Sequence, residues 1–300
     1  MPEAQVIKTY NGFYYVLDSS HEGMYSEADL ISCRVRGRLK RNKGAVVTGD
    51  RVEYELLPDG TGVIDTTLQR NSLLMRPAVA NIDQVIIVFA AREPDISSLL
   101  VNRMLVMAEW SGIQNIVICI NKLDIADEES LNEILKPFED IGYRLLRVSA
   151  KDGIGIDQLK EILNGKVTVF AGPSGVGKSS LVNAIDSRLS LATGVVSEKI
   201  KRGKHTTRAA QLIPVESGGT VVDTPGFSAA DLENIDKQLL GSYFPEFRKF
   251  IPDCYYNTCT HSHEPDCAVK KALEDGHIAQ SRYDGYINIL NTINERKKAY

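Results

Sequence analysis

The sequence predicts a three-part protein of mixed class: a small all-β barrel, then an α/β domain around a parallel sheet, then a mainly α segment gathered on a cysteine and histidine cluster. Three observations carry that prediction. Short runs of alternating apolar and polar residues fill the first seventy positions. The stretch Gly-Pro-Ser-Gly-Val-Gly-Lys-Ser-Ser at 172–180 stands between a strand-like run and a helix-like one. Cys254, Cys259 and Cys267 lie close together near two histidines.

Length and composition set the outer limits. A chain of 300 residues with ordinary apolar content holds two or three cores. A formal charge of −4 excludes a uniformly basic surface, so any site for a polyanion is a local patch. No apolar run approaches the roughly 18 to 20 residues of a membrane span, and Met1 to Tyr10 lacks the apolar core of a signal peptide. A cytoplasmic location with no membrane partner is therefore expected. In a reducing compartment the three clustered cysteines point to metal rather than to disulfides, while Cys33 and Cys119 stand alone in strand-like segments.

Residues 1–70 read as the barrel. Phe13 to Leu17, Leu30 to Val35 and Asp50 to Tyr54 alternate in strand fashion, and Asn11-Gly12, Thr48-Gly49-Asp50 and Pro58-Asp59-Gly60 supply turns. That pattern predicts an OB-like barrel. Arg34, Arg36 and Arg38 recur at every second position and would share one strand face, with Lys40, Arg41 and Lys43 following. Beside Tyr10, Phe13, Tyr14 and Tyr15 this stripe suits RNA, with bases stacking on rings and phosphates meeting cations. A solvated arginine face over an aromatic core is the competing reading. Periodicity is lost from Gln69 to Pro77, so residues 71–80 read as a linker over the surface.

Residues 81–240 read as the α/β domain. Asp83 to Ala91 is apolar after its first two residues, as a parallel strand covered on both faces must be. Ile96, Leu99, Leu100, Met104, Met107 and Trp110 fall at helical spacing with Gly112 as a stop. Asn115 to Ile120 is the next buried strand and delivers Asn121-Lys122-Leu123-Asp124 at its carboxyl end, where ligands bind in α/β sheets. A carboxylate there accepts from guanine N1–H and the exocyclic amine, a donor pair adenine lacks. Asp124 takes that role, Asn121 braces the loop and touches N7, and the stem of Lys122 lies over the base. Arg144 to Val148 then ends in Ser149-Ala150-Lys151, whose backbone N–H groups face guanine O6.

The 172–180 stretch is the phosphate loop. Val167 to Ala171 precedes it as a strand and Leu181 to Ile185 follows as a helix, the setting GxxxxGK[ST] requires. Gly172, Pro173, Ser174, Gly175, Val176 and Gly177 turn the backbone N–H groups inward on a polyphosphate. Lys178 reaches the terminal phosphates, and Ser179, followed by Ser180, places a hydroxyl on magnesium. Lys201 to Arg208 is polar and aperiodic, which suits a switch that closes a threonine onto magnesium and the γ-phosphate; Thr207 is the first choice and Thr206 the second. Val221-Val222 leads into Asp223-Thr224-Pro225-Gly226, with Asp223 near the metal and the Gly226 N–H on the γ-phosphate.

Residues 241–300 carry Cys254-x4-Cys259-x-His261-x5-Cys267, four ligands suited to one tetrahedral structural zinc, with His263 as the alternative to His261. Gln280 to Ala299 reads as a helix with Tyr283, Tyr286, Ile287, Leu290 and Ile293 on one face. Arg296, Lys297 and Lys298 at its end suit a helix C-terminus or RNA.

In most P-loop GTPases the phosphate loop comes first; here Asn121 to Asp124 and Ser149 to Lys151 precede Gly172, which marks a circular permutation. The combination of N-terminal OB-like barrel, central α/β P-loop GTPase in permuted order and C-terminal mainly α zinc-binding domain resembles the RsgA (YjeQ) family. The resemblance spans essentially the whole chain through the motifs quoted, His205-Thr206-Thr207 among them. It implies a GTPase using GTP/GDP and magnesium that acts late in maturation of the small ribosomal subunit. It also implies contact with that subunit's rRNA and subunit-stimulated hydrolysis by a monomer. Where Ras-like enzymes place a water-orienting glutamine after the DxxG glycine, this chain has Phe227. His205 is accordingly the candidate to orient the water, against the plainer reading of an exposed loop histidine. Two other classes stay open: an RNA-binding assembly module in which hydrolysis is only a release timer, and a GTPase whose main partner is another protein.

Overall fold

The computed structural model describes residues 1–37, 39, 46–75, 78–189, 210–223, 232 and 234–297. Five strands make the barrel: β1 (Glu3–Tyr10), β2 (Phe13–Asp18), β3 (Ile31–Val35), β4 (Arg51–Leu56) and β5 (Gly62–Thr67). The pairing runs β1-β2-β3-β5-β4 and returns from β4 to β1, so the ring closes. Alternation does the work expected of it: Ala4, Val6, Val16, Cys33, Val52, Tyr54 and Ile64 point inward. Asn11 and Gly12 both have positive φ, 49° and 79°, matching a tight hairpin turn between twisted strands.

The predicted arginine face needs correction. β3 ends at Val35, so Arg36 is off the strand; its guanidinium meets Glu55 at 2.5 Å and Asp65 at 2.8 Å. Arg34 lies over the Phe13 ring at 5.0 Å. Tyr10 is exposed and Phe13 and Tyr15 are half-buried outside the barrel core, whereas Tyr14, also half-buried, packs against it. Arg38, Lys40, Arg41 and Lys43 lie outside the described residues.

The segment expected as a surface linker instead folds inward. β6 (Leu73–Met75) and β7 (Ala78–Ala80) pair as a hairpin, and Leu74 and Val79 enter the main core. Asn81 fastens its base, donating to the Gly49 carbonyl at 2.9 Å and accepting from the Asn71 N–H at 3.0 Å. A side chain at Gly49 would meet the Ala80 carbonyl at 2.0 Å, which is why glycine stands there. Strands of three residues are too short to show a period in sequence.

The α/β region contains β8 (Gln84–Ala90), α1 (Ser98–Trp110), β9 (Asn115–Asn121), α2 (Glu128–Asp140), β10 (Arg144–Arg147), α3 (Ile156–Leu163), β11 (Val167–Ala171), α4 (Lys178–Ile185), β12 (Gln211–Pro214) and β13 (Thr220–Asp223). Strand order is β10-β9-β8-β11-β13-β12, parallel except for β12 against β13. All seven residues of β8 are buried because both faces are covered. Val85, Ile87 and Phe89 face a core with α1 and α2, whereas Ile86, Val88 and Ala90 face α3 and α4. At the far edge, Gln211 of β12 pairs with Lys8 of β1, which makes barrel and α/β sheet one eleven-stranded system.

Beyond 234 come short 3-10 turns, then α5 (Ala268–Glu274) and α6 (Gln280–Lys297). α6 lies along α1 so closely that a Cβ at Gly285 would sit 2.2 Å from the Asn102 side-chain nitrogen. Tyr286, Ile289, Leu290 and Ile293 are buried in that contact. At its centre Arg282 is 1% exposed. Its guanidinium donates to Glu246 at 2.7 and 3.1 Å and to the Asn102 side-chain oxygen, and it stacks on Phe244 at 4.7 Å and Phe138 at 5.4 Å. A buried cation needs this full set of partners. Among the described residues no helix is long and apolar enough to cross a membrane.

Candidate functional site

The carboxyl ends of β8, β9, β10 and β11 converge, and three loops meet there. Gly172, leaving β11, has φ of 142°, and a Cβ on it would stand 2.2 Å from the Val88 carbonyl. Gly177, with φ of 91°, would likewise drive a Cβ to 2.3 Å from the Asn121 side-chain nitrogen. Only glycine lets the phosphate loop approach its neighbours this closely. Val176 is buried, whereas Ser174, Gly175, Ser179 and Ser180 are exposed and Pro173 is half-buried. Lys178 opens α4 and curls back, donating from Nζ to the carbonyls of Gly172 at 2.8 Å and Pro173 at 2.7 Å. Burial lowers its amine pKa, a cost that an adjacent polyanion reverses.

Asn121 is the joint between loops. It ends β9, is 2% exposed, donates from Nδ2 to the Val176 carbonyl at 2.9 Å and accepts at Oδ1 from the Ala150 N–H at 3.1 Å. One side chain thus ties the phosphate loop to the Ser149 loop. Lys122 takes a left-handed φ of 62° and its Nζ donates to the Glu93 carbonyl. Asp124 accepts from the Ser149 hydroxyl at 3.1 Å and from Lys151 Nζ at 3.2 Å. Desolvation pushes its carboxyl up, but the hydrogen bonds from Lys151 and Ser149 outweigh it and hold the group below its ordinary value. Ser149 is fully buried, and its hydroxyl also accepts from the Asp152 N–H at 3.2 Å, which curls the loop.

Sequence reasoning missed the Arg92–Asp95 loop. It leaves β8 at the same end of the sheet, its Glu93 carbonyl receives Lys122, and Pro94 is the atom group nearest to Gly175, 3.8 Å from where a Cβ would be. The signal was available: a turn-forming Glu-Pro-Asp directly follows a buried parallel strand, where ligand loops arise. Asp223 closes β13, whose neighbour on one side is β11 and hence the phosphate loop. His205, Thr206, Thr207 and Gly226 lie outside the described residues.

A second constellation lies in the C-terminal region. Ligand atoms of Cys254, Cys259, His261 and Cys267 all fall within 4.8 Å of one another. Cys254 and Cys267 sulfurs are 3.9 Å apart, and His261 Nδ1 is 3.5 Å from each. Two thiolates on a tetrahedral zinc, at about 2.3 Å from the ion, stand about 3.8 Å from each other, so the donor set fits that metal. His263 is exposed, its Nδ1 bonded to the Ser262 hydroxyl at 2.9 Å, and it does not join the cluster. The loop is fixed from outside: the Tyr286 and Tyr283 hydroxyls donate to the carbonyls of Thr260 and His261 at 2.7 and 2.8 Å. Burial raises the Glu264 carboxyl, yet hydrogen bonds from Thr260 and Ser262 hold it at about 2, so it accepts as an anion.

Comparison with known proteins is consistent along the chain. A family model described as RsgA GTPase matches residues 67–233, and one described as RsgA N-terminal domain matches residues 3–64. The small ribosomal subunit biogenesis GTPase RsgA of Caldanaerobacter subterraneus subsp. tengcongensis is 41% identical over 296 residues, covering 99% of this chain and 97% of that protein. The protein of the same name from Clostridium botulinum (strain Eklund 17B) is 44% identical over 297 residues, covering 99% of each. Among solved structures, YloQ, described as a circularly permuted GTPase, superimposes with a TM-score of 0.81 at 38% identity, covering 99% of this chain and 96% of that one. YjeQ from Thermotoga maritima gives a TM-score of 0.81 at 37% identity, covering 97% and 98%.

Proposed function

Because the chain belongs to the RsgA family of circularly permuted GTPases, we propose that it hydrolyses GTP to GDP and phosphate during late maturation of the small ribosomal subunit, bound to that subunit and its rRNA. The observation that carries this reading is Asn121, which fastens the phosphate loop and the Ser149 loop to each other. Two base-reading loops and a phosphate loop held in fixed relation suit one guanine nucleotide. The relatives' names supply the ribosomal context.

Each residue then has a task. The Asp124 carboxylate, kept ionised by Lys151 and Ser149, accepts from the guanine N1–H and amine. The backbone N–H of Lys151 faces O6, those of Ser149 and Ala150 being taken by the Ile154 carbonyl and Asn121 Oδ1, and the Lys122 stem covers the ring. The N–H groups of Gly172 through Ser180 receive the phosphates, and Lys178 exchanges its two loop carbonyls for the terminal phosphates. Ser179, Thr207 and Asp223 are the residues to hold magnesium, which supplies charge neutralisation between the phosphates when bound. His205 orients the attacking water, the task Phe227 cannot perform, and the Gly226 N–H meets the γ-phosphate. Cys254, Cys259, His261 and Cys267 hold a structural zinc, consistent with four protein ligands and no open position. The exposed Tyr10 and the stacked Arg34 and Phe13 give rRNA a surface on the barrel. A cytoplasmic monomer is the form this reading implies.

The test measures retention on purified small subunits and GTP turnover, with GDP and with a non-hydrolysable GTP analogue, for the intact protein and for His205→Ala. Retention that depends on nucleotide, with turnover stimulated by subunits, is expected. An undiminished stimulated rate in His205→Ala removes the histidine's role. Retention indifferent to nucleotide replaces the reading with a plain RNA-binding module.

A further inference from the structure

The barrel holds the outer edge of β12. Backbone carbonyls two residues apart on a strand point to the same edge. Those of Ala210 and Leu212 both meet barrel side chains: Thr48 Oγ1 donates to the first at 2.9 Å and the Tyr25 hydroxyl to the second at 2.7 Å. Between them Gln211 pairs with Lys8 of β1 on one side and with Asp223 of β13 on the other. β12 is the last strand of the α/β sheet, so on its outer side the barrel is its sheet neighbour. β13 in turn lies against β11, which feeds the phosphate loop. Next to Tyr25, the Met24 sulfur sits 3.9 Å from the Arg188 guanidinium, just past the helix that Lys178 opens. Thr48 is 2% exposed. Burial, with Glu27 adding to it, raises the Tyr25 phenol well above its ordinary value, so its hydroxyl is a donor throughout the neutral range.

We propose that Tyr25 and Thr48 are positioning residues for GTP hydrolysis, setting β12 and through it the place of Asp223 beside the phosphate loop. A polynucleotide on the barrel acts through them on the rate of hydrolysis and not on nucleotide affinity. The polynucleotide rests on the function proposed above; the clamp does not. Removing the two hydroxyls leaves the base-reading loops untouched, since those lie at the opposite end of the strand order.

The experiment uses full-length protein and the variants Tyr25→Phe, Thr48→Val and their combination. It measures nucleotide Kd, subunit affinity, thermal midpoint and single-turnover hydrolysis with and without purified small subunits. Each single variant is expected to lower the stimulated rate about threefold and the double variant about tenfold, the scale of one or two net hydrogen bonds. Nucleotide Kd and subunit affinity stay within about twofold of the parent. A double variant whose stimulated rate stays within twofold of the parent overturns the proposal, as does a nucleotide affinity that falls in step with the rate. If subunits fail to stimulate the parent, the ribosomal reading falls; the clamp is then judged on the unstimulated rate, lowered about tenfold in the double variant if it is right and within twofold of the parent if it is wrong.

Discussion

Replacing Asn121 with alanine tests the joint on which the nucleotide site depends. The substitution deletes the donor to the Val176 carbonyl and the acceptor of the Ala150 N–H, both in a region that is 2% exposed at Asn121 itself. Each lost bond costs about 1 kcal/mol net, and a buried partner left without water costs about 1–3 kcal/mol. If roughly 2–3 kcal/mol of this appears as lost pre-organisation, nucleotide Kd rises about 30- to 160-fold. Titration with a fluorescent GDP or GTP analogue measures it, alongside denaturant unfolding to count what falls on stability. Gly177→Ala is the companion, since its new Cβ would press to 2.3 Å from Asn121 Nδ2 without removing the side chain. It loses affinity as well, through the crowded brace and through the φ of 91° that a side chain strains. An Asn121→Ala protein that binds GTP within about threefold of the parent refutes the reasoning.

Lys178→Ala is expected to abolish detectable triphosphate binding while leaving the unfolding free energy within about 1 kcal/mol of the parent, because the half-buried amine pays desolvation without the anion; a retained GTP affinity contradicts this. The Asp124 carboxyl has a depressed folded-state pKa, so its ionised form persists as pH falls through the ordinary range and is lost only below it. GTP affinity therefore falls at lower pH in the parent than in Lys151→Ala, whose Asp124 lacks that partner, and identical pH profiles of the two count against the pairing. Cys259→Ala is expected to eliminate stoichiometric zinc by atomic absorption and to collapse the near-UV circular dichroism of the C-terminal tyrosines, whereas His263→Ala keeps both. Arg282→Ala leaves Glu246 buried without its cation and costs about 3–5 kcal/mol in denaturant unfolding; pairing Arg282→Met with Glu246→Leu recovers most of it.

What the sequence disclosed depended on whether the cause was local. The phosphate loop, the Asn121 to Asp124 turn and the cysteine spacing are short-range patterns, each imposed by ligand geometry on consecutive residues. β8 was equally legible, since burial on both faces demands an unbroken apolar run. Arg36 was misjudged because its partners, Glu55 and Asp65, arrive from β4 and β5. Leu74 and Val79 were misjudged because their burial comes from the main core they enter, not from any period of their own. Arg282 drew no reading from the sequence; only the packing of α6 on α1 and α2 makes it a buried cation. The two hydrogen bonds of Asn121 likewise reach residues 55 and 29 positions away.

The seat of α6 bears on how the protein is made. α1 emerges from synthesis early, and β8 to β10 with α2 can assemble behind it, yet Val101, Met104 and Leu105 enter a core that Tyr286, Ile289 and Leu290 complete only at the end. Until α6 is made, α1 presents an apolar groove with Asn102 awaiting a cation, and Glu246 joins it unpaired once synthesised. Circular permutation moved the base-reading half forward, and so lengthened the interval in which that groove invites chaperones or self-association.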